Sequence, residues 1–275
     1  MRVHHLNCGT MRPGSKKLIN GEGGLFARGE MVCHCLLIET GSDGLILVDT
    51  GIGRAAVERP GEILGRSFTA STRPALRTEE TAHAQVLARG FDPAEVRHIV
   101  VTHLDLDHAG GLADFPQAQV HVHAPEHAAA TNPGTALEKS RYRAVEWSHG
   151  PDWRLHDLAA GGDDWFGFAS VRELPGGLVL IPLYGHTRGH VGVAVDTGDG
   201  WLLHAGDSYF FHGEVDPVKP HSTPGLRLFQ TVVQVDGKAR HANQRRLHEL
   251  AAAHGKEVTI FSAHDPKEFR ALASG

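Results

Sequence analysis

Apolar residues run almost unbroken from Met31 to Ile38 and again from Leu45 to Val48, with a Gly-Ser-Asp-Gly turn just before the second run. Short apolar runs bounded by turn residues predict two strands of a hairpin, here ending on Asp49-Thr50-Gly51. Downstream, Asp92-Pro93-Ala94-Glu95 predicts a short helical start, followed by an apolar strand from His98 to Thr102 and a loop from His103 to Gly111. Val120 to His123 reads as another strand. Ala124 to Ala130 reads as a helix, with Pro125 in the first turn, where a missing N–H costs little. Strands are predicted again at Leu178 to Leu183, Val191 to Val195 and Trp201 to His204, each bounded by Gly or Asp turns. Helices at Leu226 to Val235 and Ala239 to His254 precede a last strand, Val258 to Phe261. The order is β-rich, helix, β-rich, helix.

Two stretches break this pattern. Thr131 to Phe168 carries Trp147, Trp153 and Trp165 and reads as an insertion on the core, whereas Phe210 to Pro224, with three prolines, reads as a long ordered loop. No short-period repeat interrupts the chain, and 275 residues suit one α/β core.

Composition narrows the class. At 41% hydrophobic and 21% charged the chain reads as globular, and no segment approaches the roughly 18 consecutive apolar residues of a membrane span, so no membrane partner is expected. The opening MRVHHLNCGTMRPG lacks an apolar signal region, which places the expected location in the cytoplasm. A net charge of −5 supplies no basic surface for neutralising phosphates, and no nucleic-acid partner is expected. Cys33 and Cys35 alternate within an apolar run, so with Cys8 they read as buried strand thiols rather than a disulfide framework. Histidine, at 21 residues, is the outlier. It is the commonest metal ligand, so the question is which histidines cluster.

The sharpest answer is Thr102-His103-Leu104-Asp105-Leu106-Asp107-His108-Ala109-Gly110-Gly111, which puts four candidate ligands into six residues directly after a strand. Imidazole nitrogen and carboxylate oxygen suit zinc, and also manganese or iron, and a loop can aim all four at one point. Gly185-His186-Thr187-Arg188-Gly189-His190, His204-Ala205-Gly206-Asp207 and Ser262-Ala263-His264-Asp265 follow, each after a predicted strand.

Together these segments, from Leu47-Val48-Asp49-Thr50-Gly51 to His264, resemble the metallo-β-lactamase superfamily. The resemblance implies an α/β fold, a four-layer αββα sandwich, with two divalent metal ions at one edge. His103, Asp105 and His190 would hold the first ion and Asp107, His108 and His264 the second, with Asp207 bridging them. The family's usual motif is His-x-His-x-Asp-His, and Asp105 stands in the place of its second histidine. If Asp105 ligates, the first site is harder and more negative, which favours manganese or iron more than usual, although zinc remains the expected metal. If it does not, the second site works alone. His186 reads either as a loop group beside a ligand or as a ligand itself. Asp49 reads as a carboxylate that orients a ligand histidine or a turn.

A metal pair of this kind lowers the pKa of a bridging water and polarises a carbonyl, so no serine or cysteine nucleophile is required. Asp107 and Asp207 are the candidates for moving a proton. Tyr209 is either a hydrogen-bond donor to the developing oxyanion or a core tyrosine. The runs Val32 to Ile38 and Ile46 to Gly51, with Gly-His-Thr-x-Gly-His, look closest to the N-acyl homoserine lactonase-like branch, which implies a small-molecule lactone with an apolar acyl part as substrate. Leu18, Leu25, Phe26, Trp147 and Trp153 are candidates for walling its acyl pocket. The alternatives are another ester, thioester or phosphotriester hydrolase of the same superfamily, or a non-catalytic metal-binding protein. A homodimer through the Trp-bearing insertion is a further expectation.

Overall fold

The computed structural model describes residues 1–157, 164–168 and 172–274. Its first sheet has the order β1 (Arg2–Met11), β2 (Met31–Glu39), β3 (Leu45–Val48), β4 (Val96–Val100), β5 (Gln119–His123) and β6 (Asp152–His156). The hairpin pairs β2 and β3 antiparallel with Leu36 opposite Val48, whereas β3 to β6 run parallel. The second sheet has the order β11 (Val258–Phe261), β10 (Trp201–His204), β9 (Val191–Asp196), β8 (Val179–Pro182) and β7 (Arg172–Glu173).

Three apolar layers alternate with these sheets. Leu36, Ile38, Ile46, Val48 and Val100 of the first sheet pack on Leu180, Val191, Val193, Val195 and Phe261 of the second. Cys33, Cys35, Leu37 and Leu47 point the other way, into the layer beneath the helices that cover the first sheet. Ile181, Ala194 and Leu203 face Leu247 and Leu250 of the helix Gly237–His254 outside the second. The period of two along each strand thus serves two cores at once, which is why β2 and β3 read as continuous apolar runs. The result is the expected αββα sandwich. All three cysteines are buried and free.

Beyond a short helix, Leu106–Ala109, within the expected loop after β4, two differences from the sequence expectation concern the first sheet. β1 is a ten-residue strand at the first sheet's outer edge, carrying His4, His5 and Asn7 among its apolar positions, so no clean apolar run announces it. The region from 131 to 168 is only partly an addition to the core: Asp152–His156 joins the first sheet beside β5, while 158–163 lie outside the described residues. Trp147 and Trp153 pack against the first-sheet core and Trp153 also meets His127, so neither walls the cavity beside the centre described below. Among the described residues, no helix is long and apolar enough to cross a membrane.

Candidate metal centre

The centre is assembled from strand ends. Asp49 follows β3 in the left-handed region, at φ 56°, a conformation that aspartate tolerates better than most residues. Its Oδ1 accepts from the Thr102 backbone N–H at 2.7 Å, and its Oδ2 accepts from Thr102 Oγ1 at 2.8 Å and from His108 Nδ1 at 2.8 Å. That last bond puts the proton of His108 on Nδ1 and leaves Nε2 to face inward. His264 is set the same way, with Nδ1 donating to the Val32 carbonyl at 2.7 Å. The two Nε2 atoms lie 3.3 Å apart.

Three overlapping groups of candidate ligand atoms result. His103, Asp105, His186 and Asp207 form the first, His108, Asp207 and His264 form the second, and Cys33, Asp107 and His264 form a third that borders the second through His264. Asp207 belongs to the first and the second. Its Oδ2 lies 3.3 Å from His186 Nε2 and 3.8 Å from His103 Nε2, while Oδ1 lies 3.1 Å from His264 Nε2 and 3.3 Å from His108 Nε2. In the first group, Asp105 Oδ2 lies 3.4 Å from His103 Nε2 and 3.1 Å from His186 Nε2. Asp107 Oδ2 is 3.6 Å from His264 Nε2.

His103 Nε2, Asp105 Oδ1 and Asp207 Oδ1 are buried without a hydrogen-bond partner. Buried polar atoms left unpaired are costly, and imidazole and carboxylate lone pairs converging this way are a donor set that fits two divalent cations. Burial opposes charge on Asp207, yet the imidazoles of His264, His108 and His186 hold its carboxyl well below the usual range. Burial also works against protonation of His108, but the carboxylates of Asp207 and Asp49 outweigh it and hold the ring well above the usual histidine value. His186, by contrast, is pushed down to about 4 by burial and by the positive charge of Arg141, and so is neutral, the form that ligates. Burial and the charge of Asp107 push the Cys33 thiol well up, so it borders the second group as a neutral thiol.

Two sequence expectations are corrected here. His190 is not among the converging atoms. Its Nδ1 donates to the Leu183 carbonyl at 2.9 Å and its Nε2 accepts from the Asp207 N–H at 2.8 Å, so both nitrogens are spent on the backbone. It shapes the Gly206 turn, where a Cβ would stand 2.5 Å from His190 Nε2 and φ is +54°. His186, four residues earlier, is the ring that faces the centre. Tyr209 is fully buried in the outer core of the second sheet and donates to Glu268 Oε1 at 2.8 Å, away from the ligand atoms. The aromatic ring at the centre is its neighbour Phe210, stacked on His264 at 5.1 Å.

Glu126 went unread in the sequence. Fully buried at the start of the helix Ala124–Thr131, it accepts from the Leu104 N–H and the Tyr142 hydroxyl through Oε1, both at 3.0 Å, and from the Gly189 N–H through Oε2 at 3.1 Å. It thereby joins the loop after β4 to the loop before β9. Residue 189 must be glycine, because a Cβ would stand 2.2 Å from the Glu126 nitrogen.

Two outcomes are expected. With metal in excess, His186→Ala should bind only the ion of the second group, whereas His190→Ala should still bind two and lose about 1–3 kcal/mol of stability, the usual loss when a buried hydrogen-bond partner is removed. Elemental analysis and chemical unfolding separate the two, and the reverse pattern would restore His190 as a ligand. Glu268 is pushed up to about 8, by burial first and then by the charge of Asp265, against 4.5 when unfolded. The folded chain therefore keeps a proton that the unfolded chain gives up, and stability falls as pH rises from about 4.5 through 8. Glu268→Gln should gain on the wild type between pH 5 and pH 8.5 in urea unfolding; an unchanged difference would refute the shift.

Comparisons with known proteins identify the family. The Metallo-beta-lactamase superfamily pattern matches residues 28–234. The chain is 40% identical over 269 residues to a probable metallo-hydrolase of Mycobacterium tuberculosis, covering 97% of this chain and 81% of that one. It is 30% identical over 194 residues to the N-acyl homoserine lactonase AttM of Azorhizobium caulinodans, covering 70% and 67%. An N-acyl homoserine lactone hydrolase, solved with N-hexanoyl-L-homoserine at its catalytic metal center, shares the fold at a TM-score of 0.71 and 20% identity, covering 98% of this chain and 95% of that one. The chain belongs to the metallo-β-lactamase superfamily and is a metal-dependent hydrolase.

Proposed function

We propose that this hydrolase opens a lactone ring, with an N-acyl homoserine lactone-like ester as its substrate and two zinc ions as its metals. The observation that carries the reading is a cavity of about 760 Å³ that reaches His264 and Phe210, walled in part by Leu18, Ile19, Phe211 and Leu226. A polar donor set at one end of a partly apolar cavity suits a substrate with an ester head and an acyl tail. Leu25 and Phe26, the other candidates for the acyl wall, are not part of this lining, and Phe26 is fully exposed. The lactonase relatives named above support the same substrate class.

A bound metal pair supplies the acidified water and the Lewis acid that ester hydrolysis needs. The chain's own residues do the rest. Opening the ring adds hydroxide to the carbonyl carbon, breaks the ring C–O bond and leaves an alkoxide that must gain a proton. We read Asp107 as the carboxylate that carries it: its Oδ2 lies 3.6 Å from His264 Nε2, whereas Asp207 faces histidines with both of its oxygens. Phe210 stacks on the His264 ring and lines the cavity beside it. Tyr209, spent on Glu268, supplies no hydrogen bond to the substrate.

Ring opening releases acid, so a pH indicator reports turnover of homoserine lactones with acyl chains of graded length. Chelation should abolish turnover and added zinc restore it, and Asp107→Asn should lower kcat by about 10²- to 10⁴-fold, the range for a lost acid–base group. Phe210→Ala should raise KM more for long acyl chains than for short ones. Preference for a thioester or a phosphotriester over every lactone in the series would overturn the reading in favour of that bond.

A further inference from the structure

Arg141 ends the helix Ala136–Arg141, and its side chain is almost wholly buried against the first ligand group. Its Nη1 donates to Asp105 Oδ2 at 3.0 Å and lies 2.9 Å from His186 Nε2, while Nη2 donates to the Val233 carbonyl at the end of the helix Pro224–Val233. Two of the four residues of the first group are therefore bonded to a cation that belongs to the protein. Nothing comparable meets the second group: among the described residues, the neighbours of His108 and His264 are Asp49, Asp107, Asp207, one another, nearby rings, the neutral Cys33 thiol, Thr102 and the Val32 carbonyl.

Three physical consequences follow. His186 Nε2 faces Arg141 Nη1 at 2.9 Å and Asp105 Oδ2 at 3.1 Å, and an imidazole nitrogen has one lone pair, so a metal ion can reach that pair only by moving the guanidinium that stands against it. Asp105 can serve both, since Oδ2 holds Arg141 while Oδ1 is buried and free of hydrogen bonds. Third, a buried guanidinium needs a counter-charge, which a neutral histidine at position 105 would not supply. The aspartate at that position and the arginine facing it are one arrangement.

We propose that the guanidinium of Arg141 is a resident cation of the first ligand group, competing with metal for His186 and Asp105, so that the centre fills in order, the second group tightly and the first at least ten-fold more weakly. Arg141 is thus a positioning residue that sets metal stoichiometry. Removing it frees His186 and takes a positive charge away from the incoming ion. The inference rests on the two groups holding divalent ions and not on which ester is cleaved, so failure to open lactones would leave it standing.

Cobalt(II) is the probe, because its visible absorption reports each occupied site. The chelator-stripped full-length chain is titrated with cobalt in competition with a chromophoric chelator, and the ions kept through gel filtration are counted by elemental analysis. The wild type should show two binding constants at least ten-fold apart and keep one ion. Arg141→Met should tighten the weaker constant by ten-fold or more, leave the stronger one unchanged and keep two ions. It should also melt lower than the wild type when stripped, with Asp105 uncompensated, and gain more on cobalt loading. A merely structural arginine would not raise an affinity when removed. Equal constants in the wild type, no cobalt binding at all, or an unchanged ratio in Arg141→Met would each overturn the proposal. Should that variant fail to fold, the wild-type constants alone decide, with Arg141→Gln, which keeps a hydrogen-bond donor without the charge, as the second variant.

Discussion

A single buried carboxylate organises the approach to the centre. Asp49, at the end of β3, accepts the Thr102 N–H and hydroxyl and the His108 ring nitrogen, and the same Thr102 hydroxyl lies 3.0 Å from His103 Nδ1. One side chain therefore fixes where β4 ends and which nitrogen of His108 faces inward, and reaches His103 through Thr102. These bonds are buried between strand ends, where water cannot compete, so each is worth more than it would be at the surface. Losing Asp49 would unseat two candidate ligands on one loop together, as expected of groups that act through a shared partner.

Glu126 does for the opposite wall what Asp49 does for the floor. By holding Leu104 and Gly189 it couples the first sheet's metal loop to the second sheet's histidine loop, across the layer where the two sheets meet. The centre depends on this. Its first ligand group draws on both loops, and a shift of the sheets past each other would pull His103 away from His186. Both bracing carboxylates are spent entirely on positioning, and neither belongs to the converging ligand atoms.

The strands buried on both faces were legible in the sequence because their apolar runs are nearly continuous, and the loop after β4 was legible because it packs four candidate ligands into six residues. What was not legible was orientation. His186 and His190 share one six-residue motif, and only the carbonyl of Leu183 and the N–H of Asp207 decide that the second turns to the backbone while the first faces the centre. Tyr209 and Phe210 are neighbours in the loop after β10, and nothing in their order tells which one turns inward: the hydroxyl went to Glu268 and the plain ring to the centre. β1 escaped notice because an edge strand with His4, His5 and Asn7 carries a weak alternation. Arg141 and Glu126 stand on helices far from the motif in sequence, and no local spacing ties them to it.

The two oxygens of Asp207 face different ligand groups, one each. The two groups are thereby joined through one rigid side chain, so the separation of the positions they would offer to metal ions is tied to covalent geometry. The separation is consequently insulated from drift in the surrounding layers. Helices can slide, and the cavity wall can change its side chains, without altering the ruler at its base. A scaffold built this way can vary what it admits while keeping fixed the distance over which it acts.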